Sequence, residues 1–325
     1  MMYNFAKASA SRDQITQKLA DVQRDTMKLL NEGGISKFNS AVEWRGEAAQ
    51  LIREVVVDTF KMTDPTPIFT ERRDGKFGDT YEFTKLINTL RVVEYSPQSV
   101  PTAFTPRKGV WTIKTSSYEL PFGIPLQKIM NGQHEIGEFA QMAAQAITRH
   151  YVNLVLSAVD TACAPGAVDL KGHPLRTMAA GADVAKSEID ASLRQQNALN
   201  SGVTIFGTRW ALDPIYSLIG SLSINLADEL NARGVMGVYR GARIVELADD
   251  FNEYYHSFTT IDGIPYDKMI FVASGTPGAI LMEKDMSGLD YETFDPRSAQ
   301  WSSGLRFDHG ILVHTPGRYH VIQLV

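Results

Sequence analysis

The sequence predicts an α+β chain, and three observations carry that reading. Apolar residues recur at steps of three and four over two N-terminal stretches and again over one long uninterrupted stretch before the middle of the chain. Between them lies a segment that alternates apolar and polar residues on either side of a proline-rich tip, a period of two. In the C-terminal third, short apolar runs rich in β-branched residues follow one another, separated by turn residues.

Taken in order, Ser11 and Gln14 form a capping box ahead of Ile15, Leu19, Val22, Met27 and Leu30, and Gly33-Gly34 supplies a stop. A second helical stripe runs through Val42, Leu51, Ile52, Val55, Val56 and Phe60 until Asp64-Pro65 breaks it. Residues 1–63 therefore read as a helical N-terminal arm.

From Lys76 to Leu120 the pattern changes to two strands. The outgoing arm, Phe77 to Lys85, alternates through Tyr81 and Phe83, and the return arm alternates through Trp111, Ile113 and Thr115. Prolines at 97, 101 and 106 cannot donate to a ladder, so the stretch from Ser96 to Gly109 is a loop at the tip. An arm of this length reaches roughly 40 to 60 Å. A lone two-stranded ribbon is marginal in water, and neither strand has an obvious place in its own core, so the expected support is another copy of the chain. The candidate intersubunit contacts are Arg72, Arg73, Pro97, Pro101, Phe104, Pro106, Arg107 and Lys108.

Ile136, Ala140, Ala143, Ile147, Tyr151, Leu154 and Ala158 then mark one helix of ~28 residues, ~40 Å long, ended by Pro165-Gly166. Residues 164–183 carry little period and read as a surface connection. A shorter helix follows through Val184, Ile189 and Leu193. Val203 to Phe206 reads as a buried strand, and Asp213-Pro214 as the N-cap and first residue of a helix through Ile219. Further strands are expected at Ala242 to Leu247, Met269 to Ala273, Ala279 to Met282, Leu305 to His314 and Tyr319 to Leu324, with turns at Asp262-Gly263 and Pro316-Gly317. The last two would form a C-terminal hairpin.

With 325 residues, 44% of them hydrophobic, the chain can bury a substantial core. Its formal charge of -5 comes from 32 basic and 37 acidic residues without a block of one sign, which argues against a nucleic-acid arm or a membrane-surface patch. No run of eighteen apolar residues and no secretory leader pattern occurs, so the expectation is a chain made in a reducing cytosol with no membrane contact. Cys163 is the only cysteine, which excludes an intrachain disulfide and suggests a small buried residue near a helix end.

Sites for chemistry are largely missing. Neither a dinucleotide fingerprint, a P-loop, a zincin helix, a nucleophile elbow nor an EF-hand loop is present. Gly234, Gly237 and Gly241 have the wrong spacing for a dinucleotide turn and read as loop glycines. In the expected hairpin His314 and His320 point to opposite faces, while His309 and His320 share a face ~13 Å apart, too far to hold one metal. Glu246, Asp249, Asp250 and Glu253 could supply an acid/base pair or ligands for a divalent metal, although a solvated loop explains them as well. Arg72, Arg73, Lys76 and Lys85 have no aromatic interleaving, which fits pairing between subunits better than a nucleic-acid groove.

The order of these elements resembles the major capsid protein of tailed bacteriophages, a fold shared with herpesvirus shells and encapsulins. The resemblance rests on Tyr118 to Gln127 leading into the long helix, Gly241 to Leu247, Tyr266 to Ala273, and the ending from Arg306 to Val325. It implies an N-terminal arm (1–63), an extended β-hairpin loop (64–122), a peripheral domain (123–202) with a long spine helix (about 134–163), an axial domain (203–300), and C-terminal strands (301–325) returning to the peripheral sheet. It further implies a non-enzymatic virion protein, without cofactor or metal, assembled in the bacterial cytoplasm. Hexamers and pentamers would close into an icosahedral shell around double-stranded DNA held without sequence-specific contacts. A portal is implied as partner, and a decoration protein is an allowed one. Only 63 residues precede the loop, so a separate scaffolding protein is implied as well. Some relatives crosslink a lysine to an asparagine, and no pair here is matched to that. The alternatives are an encapsulin-like compartment, or, in another class, a soluble hydrolase using Asp249, Asp250 or Glu253 with a divalent metal.

Overall fold

A computed structural model describes the backbone of residues 5–63, 66–76, 81–87, 107–131, 136–169, 172–179, 182–199, 202–219, 237–246, 267–273, 275, 277–285 and 291–324. Two N-terminal helices, α1 (Phe5–Ser40) and α2 (Val42–Thr63), lead into strands β1 (Thr70–Lys76), β2 (Tyr81–Ile87), β3 (Arg107–Ile113) and β4 (Ser116–Pro125). A one-turn helix α3 (Leu126–Met130) precedes the long α4 (Ile136–Ala162). Strand β5 (Arg176–Ala179), helix α5 (Ala182–Leu199), strand β6 (Val203–Gly207) and helix α6 (Arg209–Ile219) follow. The remainder is β7 (Val238–Tyr239), β8 (Ala242–Glu246), β9 (Lys268–Ala273), β10 (Ala279–Asp285), β11 (Tyr291–Asp295), β12 (Gln300–Val313) and β13 (Tyr319–Leu324).

These strands form two main sheets and one ribbon. The five-stranded sheet runs β1-β10-β12-β11, with β4 also paired to β12; the six-stranded sheet runs β5-β13-β9-β6-β8-β7; β2 and β3 pair only with each other. Helix α4 connects the sheets. Its first half, through Ile136, Ala140, Ala144 and Ile147, packs with Ala49, Ile52 and Val56 of α2 and with Leu281 and Trp301 of the five-stranded sheet. Its second half, through Val152, Val155, Leu156 and Val159, packs with Phe206, Ile270, Val272, Tyr319 and Val321 of the six-stranded sheet. On the other face of that sheet, Ile205, Met269, Phe271 and Ile322 meet Ile189 and Leu193 of α5 and Leu212 and Ile215 of α6. Alternation along β6, β9 and β13 thus feeds both layers, so these strands are apolar on both sides.

Several expectations need correction. Helix α1 starts at Phe5, upstream of Ser11, so Ser11 lies inside the helix instead of capping it; Gly34 leaves helical geometry at φ 63, so the glycine pair breaks the helix there, and a further helical stretch runs on to Ser40. On α4 the buried stripe shifts from Leu154 and Ala158 to Val155, Leu156 and Val159, because the helix changes partner midway. Leu154 is only partly buried. Helix α6 begins four residues earlier than Asp213: Thr208 Oγ1 accepts from the Ala211 amide at 3.3 Å, and Pro214 falls inside the helix. The stretch read as a surface connection contains β5, which lies parallel to β13.

The expected C-terminal hairpin does not form. Both edges of β12 are occupied, by β4 over 300–309 on one side and by β11 and β10 on the other. Over the stretch that a hairpin would use, β10 takes one edge of β12 at 308–313, and β13 instead crosses through a short 3-10 turn (Pro316–Arg318) and inserts between β5 and β9. Only β12 joins the sheet that carries β1 and β4; β13 completes the sheet built by residues 203–273. The turn at Asp262-Gly263 lies outside the described residues.

Candidate functional site: the ribbon and its root

The ribbon is an antiparallel pair in register from Tyr81 opposite Ile113 to Ile87 opposite Arg107. It is shorter at its base than the sequence suggests. Thr70 to Lys76 and Ser116 to Pro125 belong to the five-stranded sheet, as β1 and β4.

The base has a place in its own subunit, contrary to expectation. Ile113 is buried against Ile280 and Met282 on the face of the five-stranded sheet away from α4, with Tyr81, Phe83 and Leu312 beside it. Phe83 is the centre of a small ring cluster: Trp111 lies 5.9 Å away, His314 4.7 Å away, and the Arg73 guanidinium 5.6 Å from the ring centre. Contact is so close that a Cβ on Gly310 would stand 2.1 Å from the Lys114 carbonyl oxygen and 3.1 Å from Thr115 Cα. On the opposite face of β3 Val110 is 51% exposed. Along the face of Ile113 burial falls outward, from buried Ile113 to half-buried Trp111 and Gly109.

Of the proposed contact residues, Arg72 turns inward. It donates to Thr66 Oγ1 at 3.1 Å, lies 3.7 Å from the Glu283 carboxylate and sits 5.7 Å from the Tyr151 ring centre. Burial, reinforced by Glu283, pushes the Tyr151 phenol above its ordinary range. With its charge engaged inside the chain, Arg72 leaves Arg73 as the arginine available beside the root, paired to Glu71 at 3.0 Å on a half-exposed surface. Lys108 is exposed on β3, and Arg107 begins that strand. Pro97, Pro101, Phe104 and Pro106 lie outside the described residues.

The other candidates resolve differently. Asp249, Asp250 and Glu253 are outside the described residues, while Glu246 accepts from the Tyr216 hydroxyl at 3.3 Å and helps to raise that phenol to about 12, burial being the larger cause. Among the described residues no group of three or more His, Cys, Asp or Glu is placed to hold a metal ion. Gly241 serves a two-residue turn between β7 and β8, with φ 83 after Arg240 at φ 47. His309 and His320 now belong to different sheets, and His309 instead meets His150 of α4, a pairing that spacing along the sequence could not show.

No family model matches the chain, and no curated protein matches it. Solved structures do. The bacteriophage PhiM1 mature capsid is similar at TM-score 0.57 and 12% identity, over 81% of this chain and 87% of that one. The capsid of cyanophage P-SCSP1u is similar at TM-score 0.54 and 11% identity, over 79% and 86%. A chain of the satellite phage P4 procapsid, a particle that includes the size determination protein Sid, is similar at TM-score 0.53 and 10% identity, over 84% and 91%. Likeness at such low identity speaks for the fold, and on that basis the chain shares the fold of bacteriophage capsid proteins.

Proposed function

We propose that this chain is a major capsid protein, whose hexamers and pentamers close into an icosahedral shell around double-stranded phage DNA. The observation that carries the proposal is the ribbon: it is clamped at its root by Ile113, Phe83 and the backbone at Gly310, and it loses burial outward. A rigid root with an open arm suits a device that reaches a neighbour, since the root fixes direction and the arm has apolar surface left to cover. The fold likeness to phage capsid shells supports the same reading. Contacts of this kind need no catalytic pocket, so the chain acts as a structural component of the virion.

Arg73 and Lys108, with Arg107 and the loop containing Pro97, Pro101, Phe104 and Pro106, are proposed to contact the adjacent subunit. A separate scaffolding protein and a portal are proposed partners during assembly in the bacterial cytoplasm, a decoration protein is an optional one, and DNA is held without sequence-specific contacts. Among the described residues no helix is long and apolar enough to cross a membrane.

Deleting Gln98 to Pro106 and closing the gap with a short Gly/Ser linker tests the ribbon's role. The expected product is folded and soluble by circular dichroism but forms no shells under the electron microscope. Normal shells from the deletion would contradict the proposal.

A further inference from the structure

We propose that His150 and His309 form an acid-sensitive latch between α4 and the five-stranded sheet, a contact that adds to their apolar packing only while both imidazoles are neutral. The two Nε2 atoms are 2.9 Å apart, in a contact between the middle of α4 and β12. His309 is buried at 1% exposure, and its ring is stacked on Tyr118 of β4 at 4.3 Å and 14°, with Tyr151 at 4.7 Å and Phe307 at 5.5 Å. Aromatic faces thus surround it where water would be needed to solvate a charge.

Counting protons shows why the contact is sensitive. A 2.9 Å approach between two ring nitrogens requires one to donate and the other to accept. His309 Nδ1 has no hydrogen-bond partner among the described residues. A bare lone pair there costs less than a buried N–H without an acceptor, so the arrangement assigned is His309 Nε2–H donating to His150 Nε2, with the His150 proton on Nδ1. A proton added to His150 Nε2 sets two N–H groups face to face. The contact survives only if His309 moves its own proton to Nδ1, where no acceptor waits. A proton added to His309 Nδ1 directly meets the same difficulty and adds a charge. Each route to protonation therefore weakens the link between helix and sheet.

The surrounding charges do not rescue it. Glu283 stands opposite His309 across β10 and β12, but Arg72 lies 3.7 Å from its carboxylate and the Tyr151 phenol also engages it. Asp74 is one strand farther on the same face, next to Glu283 in register, and Asp308 alternates to the other face of β12. Arg149, adjacent to His150 on α4, adds positive charge. Burial lowers the affinity of both rings for protons, taking His309 down to about 3 with a further push from His150.

Isotope-labelled histidine in the full-length chain, followed by NMR through its ring nitrogens, tests the assignment directly. The expected result is an Nε2–H tautomer at His309, an Nδ1–H tautomer at His150, and folded-state midpoints below the ordinary histidine value at both rings, that of His309 lowered to about 3. A folded-state midpoint near the ordinary value for either ring would overturn the proposal. The second arm is His309→Phe, which keeps the ring stack but cannot titrate. At pH 5 it should take up about one proton fewer per chain on unfolding than the parent. Equal proton uptake would overturn the latch, because a ring that binds protons equally well folded and unfolded adds nothing to the slope of stability against pH. If that variant does not fold, His150→Asn serves in the same measurement with the same expected direction.

Discussion

The Lys114 carbonyl oxygen lies where a side chain on Gly310 would have to be, 2.1 Å from the position of its Cβ. The link from β3 to β4 thus crosses β12 in backbone contact, and this crossing sets where the ribbon leaves the body. Gly310→Ala should force the link away from the sheet and lower stability by about 1–3 kcal/mol, the usual cost of overpacking. The obstructing atom is backbone, so a side-chain rotation cannot relieve it. Thermal unfolding checks the magnitude. A change in Trp111 fluorescence in the folded variant would show that the root itself has moved.

The corrected face of α4 predicts an ordering among three substitutions. Leu156 is 1% exposed in the core shared with the six-stranded sheet, so Leu156→Ala should cost about 2–5 kcal/mol. Gln145 is exposed, and Gln145→Ala should cost under about 0.5 kcal/mol. Leu154→Ala should fall between them, since Leu154 is only partly buried. Denaturant unfolding of the three variants checks the order, and equal costs at 154 and 156 would restore the face that simple periodicity selects.

An ion pair fixes the elbow between α1 and α2 to the five-stranded sheet. Arg45 Nε lies 3.1 Å from Glu292, Trp301 Nε1 donates to the same carboxylate at 2.9 Å, and the pair is mostly buried. Arg45 also donates to the Asn39 carbonyl at 3.0 Å, where α1 ends. Arg45→Met should cost about 3–5 kcal/mol, because it leaves Glu292 uncompensated. Combining it with Glu292→Gln should recover part of that loss, and a double-mutant cycle measures how much. Additive losses would mean that the two side chains act separately.

Cys163 closes α4 and is fully buried, and burial pushes its thiol up to about 12. At pH 8 the folded chain should therefore react with an aromatic disulfide reagent only as fast as it opens, while the denatured chain gives one thiol at once. Rapid labelling of the native chain would place Cys163 at the surface.

The parts of this fold that the sequence revealed are those whose pattern is local. Val42 to Phe60 and Ile136 to Ala158 each announce a helical period and Val203 to Phe206 a buried apolar run, and each forms the kind of element expected of it. The parts it concealed depend on partners far away in the chain. β1, Thr-Glu-Arg-Arg-Asp-Gly-Lys, is polar throughout and becomes a strand because β10 offers it a parallel edge. β5 is four residues long and exists through β13. The hairpin expected at Pro316-Gly317 failed for the same reason, because turn chemistry describes two strands but not the neighbours already paired to one of them. At the site, alternation at Tyr81, Phe83, Trp111 and Ile113 marked the ribbon, while the seating of its root on Ile280 and Met282 was hidden in contacts some 170 to 200 residues apart in sequence. His150 and His309 were likewise brought together by tertiary packing alone.

The decisive measurement is electron microscopy of the purified full-length chain, concentrated alone and with the separate scaffolding protein proposed for it. Rings of five and six subunits and closed shells are expected, with ribbons lying across neighbouring subunits. A chain that stays monomeric at every concentration and with every partner would contradict the proposed capsid role.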